Sequence, residues 1–329
     1  MNRRQFLLLL SLLLLLLSGC RLLTPAATPL PPPPATIAPT TEPAAPEIVP
    51  APTLPPPPTA VPTAVPDTPT PEPTLAPTVT PEPAFQTDAS YRVIFVEEDD
   101  TLNVRSAPGV QNPVTAELAP DATGIRVTGA GERVGDWLWL PIEGNGFSGW
   151  VNSFYLTEMV SDGQFCNEVL ALSLITDLRT AVAQKDGEAL AKLIHPEHGL
   201  TIHRHWWNPA VRFEATAVAN LFTSEESHYW GREDGTGFDM NGSFMDYIYP
   251  RLERNLLPAR VLGCNEIMHG GTAGYVWLPE GYENVNFYAV YRPHTEDQFE
   301  LDWGTWVVGI ERWQGQYYIS YLVHFEWEI

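Results

Sequence analysis

The sequence predicts a small β-barrel followed by an α+β domain, both carried on an unstructured Pro/Thr-rich stalk. Three observations predict it. Residues 21–90 hold 23 of the chain's 33 prolines. Between about 90 and 159, short β-type runs alternate with Gly and Pro turn signals. Beyond 161, helical spacing comes first and a long alternating hairpin closes the sequence. Setting the proline-rich stretch aside leaves about 240 of 329 residues for compact structure, enough for one or two ordinary cores. The formal net charge is −22, and Lys185 and Lys192 are the only lysines. So acidic a chain repels phosphates, which argues against a nucleic-acid partner.

The first residues predict an address outside the cytoplasm. Arg3 and Arg4 precede the apolar run Phe6 to Leu17. Twelve helical residues span about 18 Å, too short for a bilayer core of roughly 30 Å. The run therefore reads as a signal-peptide core over residues 1–19. Leu17-Ser18-Gly19-Cys20 resembles the lipobox of bacterial lipoproteins. The resemblance implies lipidation of Cys20 and anchoring to the bacterial cell membrane by acyl chains rather than by a spanning helix. From Thr24 to about Ala84, Pro, Thr, Ala and Glu recur almost without aromatic residues. Proline removes backbone donors and favours polyproline II, so residues 20–90 are expected to be a disordered linker.

Residues 91–159 form the first folded unit. The β-type runs are Tyr91–Val96, Leu102–Gly109, Gly124–Gly129, Asp136–Ile142 and Gly149–Leu156. Short strands with close turns argue a small β-barrel. The phrase Leu102-Asn103-Val104-Arg105-Ser106-Ala107-Pro108-Gly109, followed by Gly149-Trp150-Val151 and Tyr155-Leu156, resembles the bacterial SH3-like domain. The resemblance implies an all-β SH3-like barrel that binds peptidoglycan, commonly its peptide stems, in an aromatic-lined groove. Asn103, Arg105 and Pro108 would then shape a turn, with Trp139 and Trp150 in or near the core. Trp137, Phe147 and Tyr155, at strand ends or in Gly-rich loops, are the groove candidates. The unit holds 4 basic and 10 acidic residues, which disfavours attraction to anionic wall polymers.

Residues 161–329 form the second unit. Phe165, Val169, Leu172, Ile175, Leu178 and Val182 recur at helical spacing, and Lys185-Asp186-Gly187 breaks the helix. A short helix from Glu188 to Ile194 ends before His195-Pro196. Thr305–Trp313 and Tyr317–Ile329 alternate around a Gln314-Gly315 turn. Tyr317, Ile319, Tyr321, Val323, Phe325, Trp327 and Ile329 fall on one apolar face, and Tyr318, Ser320, Leu322, His324, Glu326 and Glu328 on the other. Helices before an antiparallel sheet give an α+β domain. The order is similar to the cone-shaped nuclear-transport-factor-2-like fold. Leu193–Gly199, Tyr229-Trp230-Gly231, Asp234–Gly237 and Tyr318–Ile329 together resemble uncharacterised bacterial lipoprotein domains, from which no activity carries over.

The chemistry of this unit is open in the sequence. His195, His198, His203 and His205 fall close together. On a strand, His203 and His205 share one face, half of a possible zinc site with His195 as a third ligand, yet no established zinc-hydrolase spacing is present. Other third-ligand candidates are His198, His324 and Glu326. Cys166 and Cys264 are expected to form a disulfide in an oxidising compartment. No Gly-x-Ser-x-Gly occurs, and neither Cys sits in a Cys-peptidase context. Glu233, Asp234 and Asp239 beside Trp230 fit either a turn or glycan chemistry. Trp206 and Trp230 are ligand candidates for a pocket that takes a small molecule or sugar. Two functions follow. One is a non-catalytic cell-surface lipoprotein that binds peptidoglycan and, through its second domain, an unidentified ligand. The other is a wall or glycan hydrolase using carboxylates or a His-bound metal.

Overall fold

The computed structural model describes residues 89–271, 276–295 and 300–328. The signal segment, Cys20, the stalk and Ile329 lie outside the described residues. All the described residues belong to one compact unit, Leu75–Ile329. The fold is mostly β-sheet with few helices.

The first sheet contains β1 (Ser90–Val93), β2 (Leu102–Arg105), β3 (Val114–Leu118), β4 (Ile125–Val127), β5 (Glu132–Val134), β6 (Trp137–Gly144), β7 (Phe147–Asn152) and β8 (Leu156–Glu158). Its order is β3-β2-β7-β6-β4-β1-β8, with β5 pairing to β6. Period-2 alternation sends Leu102 and Val104, Leu138, Leu140 and Ile142, and Ile125 and Val127 into one core. The β6–β7 turn is the two-residue loop Asn145-Gly146, where Gly146 takes a φ of 89°. A single 3₁₀ turn, Ser153–Tyr155, follows β7, and the Asn152 side chain accepts the Phe154 N–H there.

The helical layer begins with α1 (Asp162–Cys166), capped by Ser161 and Gln164 in a reciprocal box. The continuous helix expected from Phe165 onward is interrupted at Asn167, and Glu168 caps α2 (Val169–Gln184) anew. Cys166 is bonded to Cys264 as expected, with 5.8 Å between Cα atoms, so α1 is fastened to the sheet rather than to α2. Lys185 ends α2 in the left-handed conformation, and Asp186 caps α3 (Gly187–Ala191), a helix that stops earlier than expected.

The second sheet contains β9 (Leu200–His203), β10 (Ala210–Phe213), β13 (Val261–Cys264), β14 (Phe287–Arg292), β15 (Gly304–Trp313) and β16 (Gln316–Glu326), in the order β10-β9-β16-β15-β14-β13. β9 and β16 run parallel, and the other strand pairs of this sheet run antiparallel. Between β10 and β13 lie α4 (Ala215–Val218), the separate hairpin β11 (His228–Arg232) and β12 (Asp239–Gly242), and two short helices, α5 (Phe244–Tyr247) and α6 (Tyr249–Arg251). The β15–β16 hairpin turns at Gln314-Gly315, both at positive φ, as the two-residue loop requires.

The strict alternation expected along β16 does not hold. The register shifts between Gly309 and Ile310, leaving Ser320 as an extra residue between Ile319 and Tyr321. Ile319 therefore joins Leu322 beneath the helices, while Tyr321, Val323 and Phe325 face the other way. Gly309 is needed here, because a Cβ would run into the Tyr321 ring. The face expected to be polar is buried as well: His324 has no exposed surface.

Both faces of the second sheet are covered. Ala171, Leu174, Ile175, Leu178 and Val182 of α2 pack on Trp306, Val308 and Leu322. On the opposite face Ile94 and Phe95, just after β1, join Val307, Tyr321, Val323 and Phe325. In return Trp313 and Tyr318, beside the β15–β16 turn, enter the core of the first sheet. The Phe95 N–H donates to Gly281 O at 2.8 Å, and Arg92 donates to Asn284 Oδ1 at 2.5 Å. The two sheets thus exchange side chains across their seam.

Candidate functional site

A cavity of about 560 Å³ opens on the first sheet. Its walls include Trp137, Trp139, Tyr155 and Phe95, with Asn103, Arg105, Glu97 and Asp100 between them. Trp137 opens β6 and is 42% exposed, whereas Trp139, two residues on, is buried. Tyr155 is held by the 3₁₀ turn after β7. Burial, and then the charge of Asp100, push the Tyr155 hydroxyl pKa up, so it stays a neutral donor. Arg105 donates to Asn112 O at 2.8 Å and braces the loop between β2 and β3.

The second sheet supports this groove. The Arg212 guanidinium of β10 lies 5.5 Å from the Trp137 ring centre and 5.4 Å from that of Phe154. Arg212 is itself held by the carbonyls of His198 and Glu197. Phe95 meets Phe154 at 5.4 Å and Tyr282 at 5.1 Å. Of the expected groove residues, Trp137 and Tyr155 line the cavity. Phe147 does not: it packs against the first core and lies over Gly144.

The residues expected around a pocket in the second unit are placed differently. Trp230 is fully buried in the core and donates to Gly242 O at 2.9 Å. Trp206 donates to Glu328 Oε1 at 2.9 Å and packs beside the Tyr321 face of the sheet. The two tryptophans thus belong to different clusters, Trp230 beneath the helices and Trp206 on the opposite face of the second sheet. Asp239 is engaged by Arg232 and Tyr229, and Glu233 by Thr236, the bonds of a hairpin and its turn.

The three expected metal ligands also separate. His203 places Nδ1 2.9 Å from Asn208 O and Nε2 3.2 Å from the Tyr282 hydroxyl. His205 Nε2 lies 3.1 Å from Glu328 Oε1. Burial lowers the pKa of both rings, that of His205 to about 4. His195 sits elsewhere, with His198 and Glu311, and the three offer buried ligand atoms within 4.8 Å of one another. That trio does not fit a metal ion as arranged. The rings of His195 and His198 stack at 3.8 Å with only 14° between planes. Ring lone pairs lie in the ring plane, so nearly parallel stacked rings do not aim at one ion. His198 is also held at both nitrogens, by Glu311 Oε1 and Ser153 O, each at 3.0 Å. This cluster is a polar pin between the sheets. Sequence spacing brought the four histidines together, but the turn after α3 and the edge of β9 send them to different neighbours.

A further polar cluster surrounds the end of β16. Glu326 takes Arg204 at 2.9 Å and Arg251 at 3.3 Å, and also pairs with Arg254. Burial opposes its charge, yet the charges around it, those of His324 and His205 when protonated and of Arg251 and Arg254 throughout, outweigh that and hold its pKa low. Asn255 bridges His324 to Arg292. Nothing in the sequence beyond four dispersed arginines signalled this network.

Comparison of the chain with protein-family models, with curated proteins and with solved structures gave no match.

Proposed function

We propose that this chain is a non-catalytic lipoprotein of the bacterial cell surface. In this reading it is anchored through Cys20, displayed on the Pro/Thr-rich stalk, and bound to peptidoglycan through the groove of the first sheet. The second sheet and its helices carry a further ligand or partner surface and brace the groove. One observation carries the proposal: an aromatic cavity of about 560 Å³ whose Trp137 is braced by Arg212 of the second sheet and whose Tyr155 is held by the first sheet's 3₁₀ turn. Such a site combines flat apolar walls with a few polar groups, the usual form of a binding pocket.

The reading of the first sheet as an SH3-like barrel is supported by its pairing. The segment Leu102–Arg105 forms β2, Gly149-Trp150-Val151 lies in β7, and Arg105 pairs with Trp150. The two phrases that carried the resemblance are thus neighbours in space. The cone-like reading of the second sheet is supported by its helix layer on one face, although Ile94 and Phe95 occupy the other.

The test is retention of the full chain on insoluble peptidoglycan. The wild-type chain is expected to be retained and Trp137→Ala to lose about ten-fold in affinity, the scale of one aromatic anchor. Equal retention of the two, with both folded, removes the groove from the proposal.

A further inference from the structure

β8 ends the first sheet and pairs with β1. An edge strand ordinarily faces water or a further strand. Leu156, Thr157 and Glu158 of β8 are nevertheless all buried, because β8 lies against β15 of the second sheet. Among the described residues no ladder joins these two strands.

An internal cavity of about 10 Å³ occupies this seam. Its walls include Arg92, Thr157, Glu158, Asn284, Asn286 and Glu311. Three of these residues are fully engaged. Asn284 accepts from Arg92 Nη2 and donates to Pro120 O. Asn286 donates to Val160 O at 3.0 Å and accepts from Asn265 at 2.8 Å. Glu158 accepts the Gly315 N–H at 3.3 Å and lies 3.6 Å from Arg312 Nε. Three atoms are left over. Among the described residues, Arg92 Nε, Thr157 Oγ1 and Glu311 Oε2 are buried without a hydrogen-bond partner. Thr157 is 4% exposed and Glu311 2%, so bulk water does not serve them. Arg92 and Thr157 stand directly opposite each other on β1 and β8, so their side chains leave the sheet on one face. Glu311 comes from β15, its other oxygen held 3.0 Å from His198 Nδ1.

The types of the three atoms select what fills the cavity. Arg92 Nε can only donate, an ionised Glu311 Oε2 can only accept, and the Thr157 hydroxyl can do either. A cation there would face the Arg92 N–H, and an anion would face the Glu311 carboxylate. A neutral molecule that accepts twice and donates once satisfies all three atoms, and the volume admits a single water. We propose that this cavity is a binding site for one water molecule that joins the edge of the first sheet to β15 of the second. It accepts from Arg92 Nε and from the Thr157 hydroxyl, and it donates to Glu311 Oε2. The water takes the place of a strand ladder at this edge. Bare buried donors and acceptors are costly, and a water with three partners removes that cost from both sheets at once. The site does not depend on what the groove binds.

The test is oxygen-17 relaxation dispersion of water in solutions of the full chain, which counts waters held for longer than the protein takes to tumble. Thr157→Ile fills the cavity and is expected to lose one such water relative to wild type. Thr157→Val keeps the shape of the side chain but removes the hydroxyl, leaving the water two bonds. Its residence time is expected to shorten by about five-fold, the loss of one ordinary hydrogen bond. The proposal is overturned if Thr157→Ile, folded by circular dichroism, keeps the wild-type number of long-lived waters. It is also overturned if Thr157→Val leaves the residence times unchanged, and this variant decides the matter if Thr157→Ile does not fold. The denaturant midpoint of the wild-type chain is expected to be the same in sodium, potassium and choline chloride at equal ionic strength. A midpoint raised by sodium or potassium and lowered again by Thr157→Val would put a cation in the cavity and overturn the water.

Discussion

At the residue scale, the buried histidines decide how the fold responds to acid. His195 accepts the N–H groups of Glu197 and His198 on Nδ1, and its Nε2 faces no acceptor. Burial, then the nearby His198 and Arg212, hold its pKa well below the ordinary value. Burial likewise lowers His205 to about 4 and His324 to about 3. These rings are neutral in the folded chain, whereas the unfolded chain binds protons near pH 6.5. Their contribution is fully present above pH 6.5 and falls as acid protonates the unfolded state, by up to about 1.4 kcal/mol per pH unit for each ring. The urea midpoint is therefore expected to fall between pH 7.5 and pH 5. A His205→Gln variant is expected to lose less over that range, by roughly 2 kcal/mol. A midpoint insensitive to pH would mean that the rings are charged in the fold. None of this was visible in the spacing of the histidines. Four rings within eleven residues suggested ligands for one ion, but a turn and a strand edge share them among carbonyls, carboxylates and a tyrosine. Trp230 failed for a similar reason: a tryptophan near glycines reads as a surface platform until its neighbours show it to be core.

At the scale of elements, the β15–β16 hairpin was legible in place and turn but not in phase. Period-2 alternation locates a strand, and Gln314-Gly315 marks its turn. A bulge at Ser320 leaves no mark in hydropathy, because Ser fits either side. The hairpin tip also reaches beyond its own sheet. Trp313, 3% exposed, fills the first core. Trp313→Ala is expected to destabilise the whole chain by about 3–5 kcal/mol, as for a large core side chain rather than a turn residue. Equilibrium denaturation monitored by circular dichroism checks it, and a loss under 1 kcal/mol would show that the first core closes without it. The Cys166–Cys264 bridge was legible once Cys20 is set aside as the expected lipidation position, since the two remaining Cys leave one pairing. It closes a separation of 98 residues. Reduction is expected to cost roughly 4 kcal/mol, read as a lower denaturant midpoint with reductant and matched by the double Cys→Ser variant. An unchanged midpoint would mean that the unfolded chain gains little freedom when the bridge opens.

At the scale of the molecule, two units separated at residue 160 are a fair account of the sequence and an incomplete account of the packing. The change there from short β-type runs to helical spacing is real, but the side chains that meet across the seam are apolar on both sides and resemble two ordinary cores. Ile94 and Phe95 cross one way, Trp313 and Tyr318 the other. A fragment ending at residue 159 exposes Ile94 and lacks Trp313. It is expected to show no cooperative unfolding transition and poor amide dispersion in NMR, whereas residues 85–329 show both a transition and dispersion. A stable, cooperative fragment would mean that the crossing side chains add little to the first core.

The position of β1 has a mechanical consequence. β1 is the first described strand, yet it lies inside its sheet, between β4 and β8, and antiparallel to both. A pull on the chain from its N-terminal side therefore acts along β1 and loads both ladders in shear, with the hydrogen bonds sharing the force rather than opening one by one. Ile94 and Phe95, next in the chain, are wedged against the second sheet and resist the same displacement. Tension applied from the N-terminal side would thus enter the fold at a strand paired on both edges.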